Sequence, residues 1–176
     1  MKMNLKQNSV KLAIAAGLVV GSVSVTMPAF ASTKSSNLLV KASIGNACVV
    51  STVELNFGTY DPNAAEAHVG TGKINTTCTS GASGNIKISK GTNGTGDDDN
   101  PTRRMLHASA AEKYLSYDVF TDDARTKQWN HTAIGDADLN GTGSEESLTV
   151  YGKMTAGQTD AIAGDYADTL LVTINY

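Results

Sequence analysis

The sequence is short of the residues that most enzyme and metal chemistry requires. Among 176 residues it has two cysteines, three histidines, one tryptophan and three prolines. No histidine pair has metal-ligand spacing, no G-x-S-x-G turn occurs, and no glycine-rich segment ends in the Lys-Ser/Thr of a phosphate loop. These absences disfavour an enzyme, and no cofactor is expected. His68, His107 and His131 lie in separate polar segments and are predicted to be surface residues.

Basic residues are also few, and they are unevenly placed. Three of the 14 lie before residue 12, where no acidic residue occurs. An apolar run, Leu12–Val20, follows and fades into Met-Pro-Ala-Phe-Ala, which has the small residues of an A-x-A cleavage site. The run is shorter than the about 20 apolar residues that span a bilayer. The pattern therefore predicts a secretory signal peptide over residues 1–31.

The 145 residues that would remain (176 less 31) are enough for one domain. They contain 11 basic and 17 acidic residues, so their formal net charge is −6. An acidic surface disfavours nucleic acid and anionic membranes as partners, because both attract basic proteins.

Both cysteines, Cys48 and Cys78, lie in the exported part of the chain. Two cysteines in an exported protein predict one disulfide. A metal or redox pair is the alternative, and it is disfavoured because the cysteines are far apart and no histidine lies at ligand spacing.

Alternation of apolar and polar residues dominates the rest of the chain. Seven such runs are bounded by Gly, Asn, Asp or Ser, as strands are. They are NLLVKASI, ACVVSTVELNFG, GKINTTC, NIKISKG, YLSYDVFTD, SLTVYGKM and DTLLVTINY. Seven short strands predict an all-β fold of the β-sandwich type. One helix-like stretch, Leu106–Lys113, is short and could equally form a loop.

The last run is the most regular. Leu170, Val172, Ile174 and Tyr176 alternate with Thr169, Leu171, Thr173 and Asn175. A strand that ends a domain is expected at a sheet edge or paired by another chain, and apolar edges invite such pairing.

Two polar segments, residues 90–100 and 126–146, are predicted to be long loops. In the second, Asp136, Asp138 and Asn140 match the first positions of an EF-hand calcium loop. The twelfth position lacks the bidentate Glu, so a solvated acidic loop is favoured over a calcium site.

Short motifs follow one another through almost all of the chain after residue 31. They are Cys48, Phe57–Pro62, Gly70–Gly72, Thr77–Thr79, Gly91, Arg104–Leu106, Leu115–Asp122, Trp129, Val150–Gly152, Ala156–Gln158, Gly164–Thr169 and Thr173–Tyr176. In this order they resemble the spore coat protein U (secreted pilin) domain family. Its members include the subunits of archaic, Csu-type chaperone–usher pili.

The resemblance implies an incomplete immunoglobulin-like β-sandwich that is completed by a donor strand from another subunit. A periplasmic chaperone first lends a strand, and an outer-membrane usher exchanges it for the N-terminal extension of the next subunit. The domains would be the extension, residues 32–44, and the pilin domain, residues 45–176. The protein is then expected to pass through the periplasm to the cell surface, where the pilus supports attachment and biofilm formation.

The extension contains an alternating apolar set, Leu38, Val40, Ala42 and Ile44, which we predict to be the inserted side chains. The alternative is that these residues form the first strand of their own domain. The resemblance also assigns the C-terminal strand to the acceptor groove. Related pilins place a glycine twelve residues before a near-terminal aromatic residue, a spacing that Gly164 and Tyr176 share. The acceptor set is Gly164, Leu170, Val172, Ile174 and Tyr176.

Two other functions stay open from the sequence. One is a secreted coat or matrix protein of the same domain type that does not use an usher. The other is a small module that binds calcium or sugar through the two polar loops.

Overall fold

The structure is a computed structural model that describes residues 32–132 and 137–176. The predicted signal peptide and Asp136 lie outside these ranges. The strands are β1 (Cys48–Asn56), β2 (His68–Cys78), β3 (Ser83–Ile88), β4 (Thr95–Gly96), β5 (Pro101–His107), β6 (Tyr114–Phe120), β7 (Ala137–Asn140), β8 (Glu145–Met154), β9 (Tyr166–Ala167) and β10 (Val172–Asn175). No helix occurs in the two described ranges, so none there could cross a membrane.

All ten strands belong to one compact unit, Ala42–Tyr176. They form two antiparallel sheets. The larger has the order β1-β2-β8-β6-β5-β4, with β9 also paired to β5, and the smaller has the order β10-β3-β7. The predicted all-β, immunoglobulin-like architecture is confirmed.

The core lies between the sheets and follows from the alternation of the strands. Along β6 and the C-terminal halves of β2 and β8, every second residue is buried, and these residues face the smaller sheet. The main buried side chains are Ile74, Leu115, Tyr117, Val119, Val150 and Met154 from the larger sheet and Ile86, Ile88 and Leu139 from the smaller.

A buried arginine ties the two sheets together at one end. Arg103 of β5 is fully buried, and its guanidinium donates hydrogen bonds to the carbonyl oxygens of Ser89 (3.0 Å), Ile88 (3.1 Å) and Trp129 (2.6 Å). The Trp129 indole donates in turn to the carbonyl oxygen of Ile86 (2.8 Å). Because buried carbonyls need donors, these bonds fix β5 over the end of β3.

The structure differs from the sequence-based expectation in several places. Strand β4 lies within the segment predicted to be a loop, residues 90–100, and strand β5 lies outside the predicted runs. Leu106 and His107 end strand β5, and turns follow them instead of a helix. Strand β7 lies within the segment predicted to be a loop, residues 126–146. Residues 38–44 form no strand. His107 is also buried rather than at the surface, with hydrogen bonds to both ring nitrogens.

Candidate functional site: an open groove between the sheets

The inner face of the larger sheet is uncovered along β1. Val50 lies opposite Thr76 and Thr52 lies opposite Ile74 in the β1–β2 register. Residues directly opposite in an antiparallel pair share one face of the sheet. Thr76 and Ile74 are buried, yet Val50 and Thr52 on the same face are exposed. The core is therefore covered beneath β2 and open beneath β1.

Strand β10 forms the opposite rim of this opening. It pairs with β3, and within the described ranges its other edge has no strand partner. Val172 lies opposite Ile88 and Ile174 lies opposite Ile86, so both face the core. Ile86 and Ile88 are fully buried, whereas Val172 and Ile174 are only half-buried. The smaller sheet thus also stops one strand short of covering the core.

Two adjoining cavities open onto the core, with volumes of about 330 Å³ and about 580 Å³. The smaller lies between these rims, and the larger lies beside it, where the segments after β1 and before β9 line it. Thr52, Leu170 and Val172 line the smaller cavity, and Ala161 and Gly164 line the larger. Both cavities share the walls formed by Glu54, Leu55, Phe57, Met105 and Tyr166. The shared walls make them two parts of one groove, with mainly apolar walls in the smaller part and mixed polar and apolar walls in the larger.

The groove is divided where the chain after β1 crosses the sheet. The register with β2 shifts between Val53 and Asn56, and beyond this point Leu55 and Phe57 pack onto the inner face. Both side chains pack directly against Gly152, where an added Cβ atom would be 2.7 Å from the Phe57 ring. Glycine within a strand commonly marks such a close approach. The crossing therefore depends on the absence of side chains beneath it.

Asp168 holds the segment that leads into β10. Its carboxylate accepts hydrogen bonds from the Tyr117 hydroxyl (2.8 Å), the Asn93 main-chain nitrogen (3.0 Å) and the Asn93 amide (3.1 Å). Burial, and then the bond to Asp168, raises the pKa of Tyr117 well above its ordinary value, so Tyr117 remains a donor. Neighbouring Leu170 is thereby placed on the groove wall.

The predicted acceptor residues fall into two groups. Gly164, Leu170 and Val172 line the groove, and Ile174 packs against the core beside it. Tyr176 is not one of the described residues that line the two cavities, and about half of its surface is exposed. Gly164 lies against His107 with a φ of +146°, while the end of the chain lies over Gly84. The glycine and the aromatic residue therefore contact different parts of the domain.

The predicted donor residues are open to solvent. The exposed fraction is 87% for Leu38, 81% for Val40 and 87% for Ile44, and Ala42 is also exposed. The segment has no assigned secondary structure before β1. The predicted disulfide between Cys48 and Cys78 is confirmed. Cys48 lies four residues after Ile44.

The calcium candidates do not form a loop in the described part of the chain. Asp138 and Asn140 lie on strand β7, opposite Asn85 and Ser83 of β3, and Asp136 is outside the described residues. Within the described ranges, no three acidic, histidine or cysteine side chains are grouped to hold a metal ion.

Sequence reasoning missed the residues that divide the groove, chiefly Phe57, Met105 and Tyr166. Each lies in a segment whose pattern alone gives no direction for the side chain. The signal that was available is the glycine content of β2 and β8, where Gly70, Gly72 and Gly152 interrupt strands. Such glycines indicate that another part of the chain packs closely on the sheet.

Comparison with known proteins gives three findings. The sequence model of the Spore Coat Protein U domain matches residues 34–173. Protein U of Myxococcus xanthus is 32% identical over 180 residues, which is 96% of this chain and 99% of that protein. A chain in the crystal structure of the CsuC–CsuE chaperone–tip adhesion subunit pre-assembly complex, from archaic chaperone–usher Csu pili of Acinetobacter baumannii, has a similar fold. Its TM-score is 0.54 at 18% identity, over 76% of this chain and 40% of that one.

Proposed function

The chain belongs to the Spore Coat Protein U domain family, and we propose that it is a structural subunit of a surface pilus built by donor-strand exchange. In this proposal each subunit fills the groove of its neighbour with the strand-like segment that precedes its own domain. The observation that carries the proposal is the uncovered core between β1 and β10.

The shape and chemistry of the groove suit an added strand. Its two rims are a sheet edge on one side and a strand with exposed inward residues on the other. An extended segment placed there would pair with the free backbone of β10 and bury alternate side chains against the core. This is strand addition, in which backbone bonds supply affinity and pockets select the side chains.

The occupant that we propose is the N-terminal segment of a second copy of this chain. Leu38, Val40, Ala42 and Ile44 recur with the period of a strand, so one face of the segment is apolar. Three of these side chains are large and almost fully exposed. An exposed apolar face of this kind is stabilised only when it is covered by a partner.

We also propose a chaperone and an usher as partners, because the groove between β1 and β10 is unfilled before assembly. An unfilled groove exposes apolar surface and a strand edge, both of which favour aggregation, so a subunit needs a temporary cover. Head-to-tail insertion does not close by symmetry and yields a filament. The signal peptide expected over residues 1–31 would deliver the subunit to the periplasm, and attachment and biofilm formation would follow from the fibre.

The test replaces side chains on opposite faces of the segment. Changing Leu38 and Val40 to Ser should reduce oligomers of the mature protein, measured by light scattering, by at least tenfold, because two buried apolar contacts are lost. Leu39→Ser is the matched control, since Leu39 lies on the other face, and it should assemble normally. Equal assembly of the two variants would overturn the proposal.

A second function, a coat protein without an usher, is favoured by the match to the Spore Coat Protein U domain over residues 34–173. Deleting residues 32–43 separates the two functions. A coat protein that associates through its outer surface would keep its assemblies, whereas a donor-strand fibre would lose them.

A further inference from the structure

The chain just before β1 is held beside the end of β2 by Thr79, the residue that directly follows that strand. The Thr79 hydroxyl accepts a hydrogen bond from the Ala47 main-chain nitrogen (3.2 Å) and lies within donating distance of the Ala47 oxygen (3.3 Å) and the Gly45 oxygen (3.5 Å). The Thr79 main-chain nitrogen also donates to the Ala47 oxygen (2.9 Å). With the Cys48–Cys78 disulfide next to it, this contact extends the line of the β1–β2 pair beyond the end of both strands.

The contacts of residues 45–47 with Thr79 oppose a turn of the chain back into the groove of its own domain. The part of β1 that lines the groove starts at Thr52, eight residues after Ile44. An extended chain covers about 3.3 Å per residue, so this separation corresponds to about 26 Å. To enter its own groove the chain would have to reverse within residues 45–47, and that reversal would break the contacts with Thr79.

Without such a restraint, insertion into the same subunit would have the advantage. A segment tethered by a short link has an effective concentration in the millimolar range, about a thousandfold above a micromolar partner. A subunit that filled its own groove would be a closed monomer and would end the fibre. Polymerisation therefore requires a feature that disfavours self-insertion.

We propose that Thr79 is a positioning residue that directs the N-terminal segment to the groove of a second copy of this chain. The inference rests on the proposed donor-strand exchange. The Thr79 side chain supplies one part of the restraint, and the short link of residues 45–47, which leaves little length for a reversal, supplies the other.

The first test is Thr79→Val, which keeps the branched shape of the side chain and removes its hydroxyl. Losing one net hydrogen bond should raise the ratio of closed monomer to oligomer about fivefold after refolding, measured by mass photometry. Thr77→Val is the matched control, because Thr77 is an exposed threonine two residues away, near the end of β2, and should leave the ratio unchanged. Thermal unfolding of both variants verifies that the domain folds.

A second variant tests the short link, residues 45–47, separately from the Thr79 contact. Six Gly/Ser residues inserted between Ile44 and Gly45 leave the Thr79 contact intact and give the segment length to turn back. The monomer fraction should rise again, and trypsin should cleave after Lys41 more slowly in that fraction because the segment is covered.

The outcomes distinguish this inference from the proposed function. If Thr79→Val and the insertion both keep the wild-type ratio while the double variant Leu38→Ser/Val40→Ser still reduces oligomers at least tenfold, the role of Thr79 is wrong and strand exchange stands. If that double variant leaves the oligomers unchanged, strand exchange itself is wrong, and the inference falls with it.

Discussion

At the scale of single residues, buried polar side chains position the walls of the groove. Arg103 has main-chain carbonyls as partners, and the nearest charge, Asp118, is 3.8 Å from its guanidinium. Burial lowers the pKa of Arg103 and raises the pKa of Asp118, and the charge of each partly opposes the effect on the other. Such an arrangement is costly to disturb, because removing one member leaves buried groups without partners.

Replacing Arg103 should therefore destabilise the domain. We expect Arg103→Ala to lower the free energy of unfolding by about 3–5 kcal/mol, since three carbonyls lose their donor and a cavity forms. Urea unfolding followed by Trp129 fluorescence measures this change. Lys153→Ala, on the exposed side of β8, is the control and should change stability by less than about 0.5 kcal/mol. A loss as small for Arg103→Ala as for Lys153→Ala would contradict the role of Arg103.

Asp122 makes the turn after β6 sensitive to acid. Its carboxylate accepts hydrogen bonds from the main-chain nitrogens of Lys127 (2.8 Å) and Thr126 (3.0 Å) and from the Thr126 hydroxyl (2.7 Å). These bonds, the one from Lys127 first, hold the pKa of Asp122 below its usual range. A lowered pKa means that the contribution is present above the unfolded pKa of about 3.9 and is lost as pH falls through the folded value.

The corresponding measurement is the urea midpoint against pH for the wild type and Asp122→Asn. The wild type should be more stable at neutral pH, and the difference should shrink as pH falls below about 4 and disappear below the folded pKa of Asp122 as the carboxylate is protonated. Asp123→Asn is the matched control. A difference between wild type and Asp122→Asn that stays constant down to pH 2 would show that the hydrogen bonds to the carboxylate do not depend on its charge.

At the scale of strands and segments, alternation predicted those elements whose inward residues are apolar. Strands β1, β6 and β10 lie within predicted runs, and β2, β3 and β8 begin two to four residues before the runs that predicted them. Strand β5 was missed because its inward residues include Arg103 and His107, which a hydrophobic pattern assigns to the surface. Strand β7 was missed because it is four residues long and buries only Leu139. The division of the groove was also not predictable, since it depends on contacts between Phe57 and glycines of distant strands.

The Cys48–Cys78 disulfide links the first residue of β1 to the last residue of β2. In the chain-entropy model, closing a loop of 30 residues stabilises the domain by about 3–4 kcal/mol. The double variant Cys48→Ser/Cys78→Ser should lose about that amount in urea unfolding. Reduced wild-type protein provides the comparison, because it has the same open loop without substitutions and should behave alike. Unchanged stability in both would show that β1 stays in place without the covalent link.

At the scale of the whole molecule, the domain and the segment before it each expose apolar surface that the other, in a second copy of the chain, could cover. The domain lacks cover over one side of its core, between β1 and β10, and the segment has an exposed apolar face. A ligand that binds only the folded state stabilises it in proportion to its occupancy. A subunit of this kind should therefore be least stable alone and most stable when its groove is filled.

The measurement that tests this most directly moves the segment within one chain. Residues 32–44 are removed from the N-terminus and attached after Tyr176 through a four-residue glycine-rich linker, where they can run antiparallel to β10. We predict a monomer whose thermal midpoint rises by roughly 6–12 °C, which corresponds to a net gain of about 3 kcal/mol for a domain of this size. The same chain with Ser at Leu38, Val40 and Ile44 is the control. Equal midpoints for the two chains would contradict the account, because the groove would then not accept this strand.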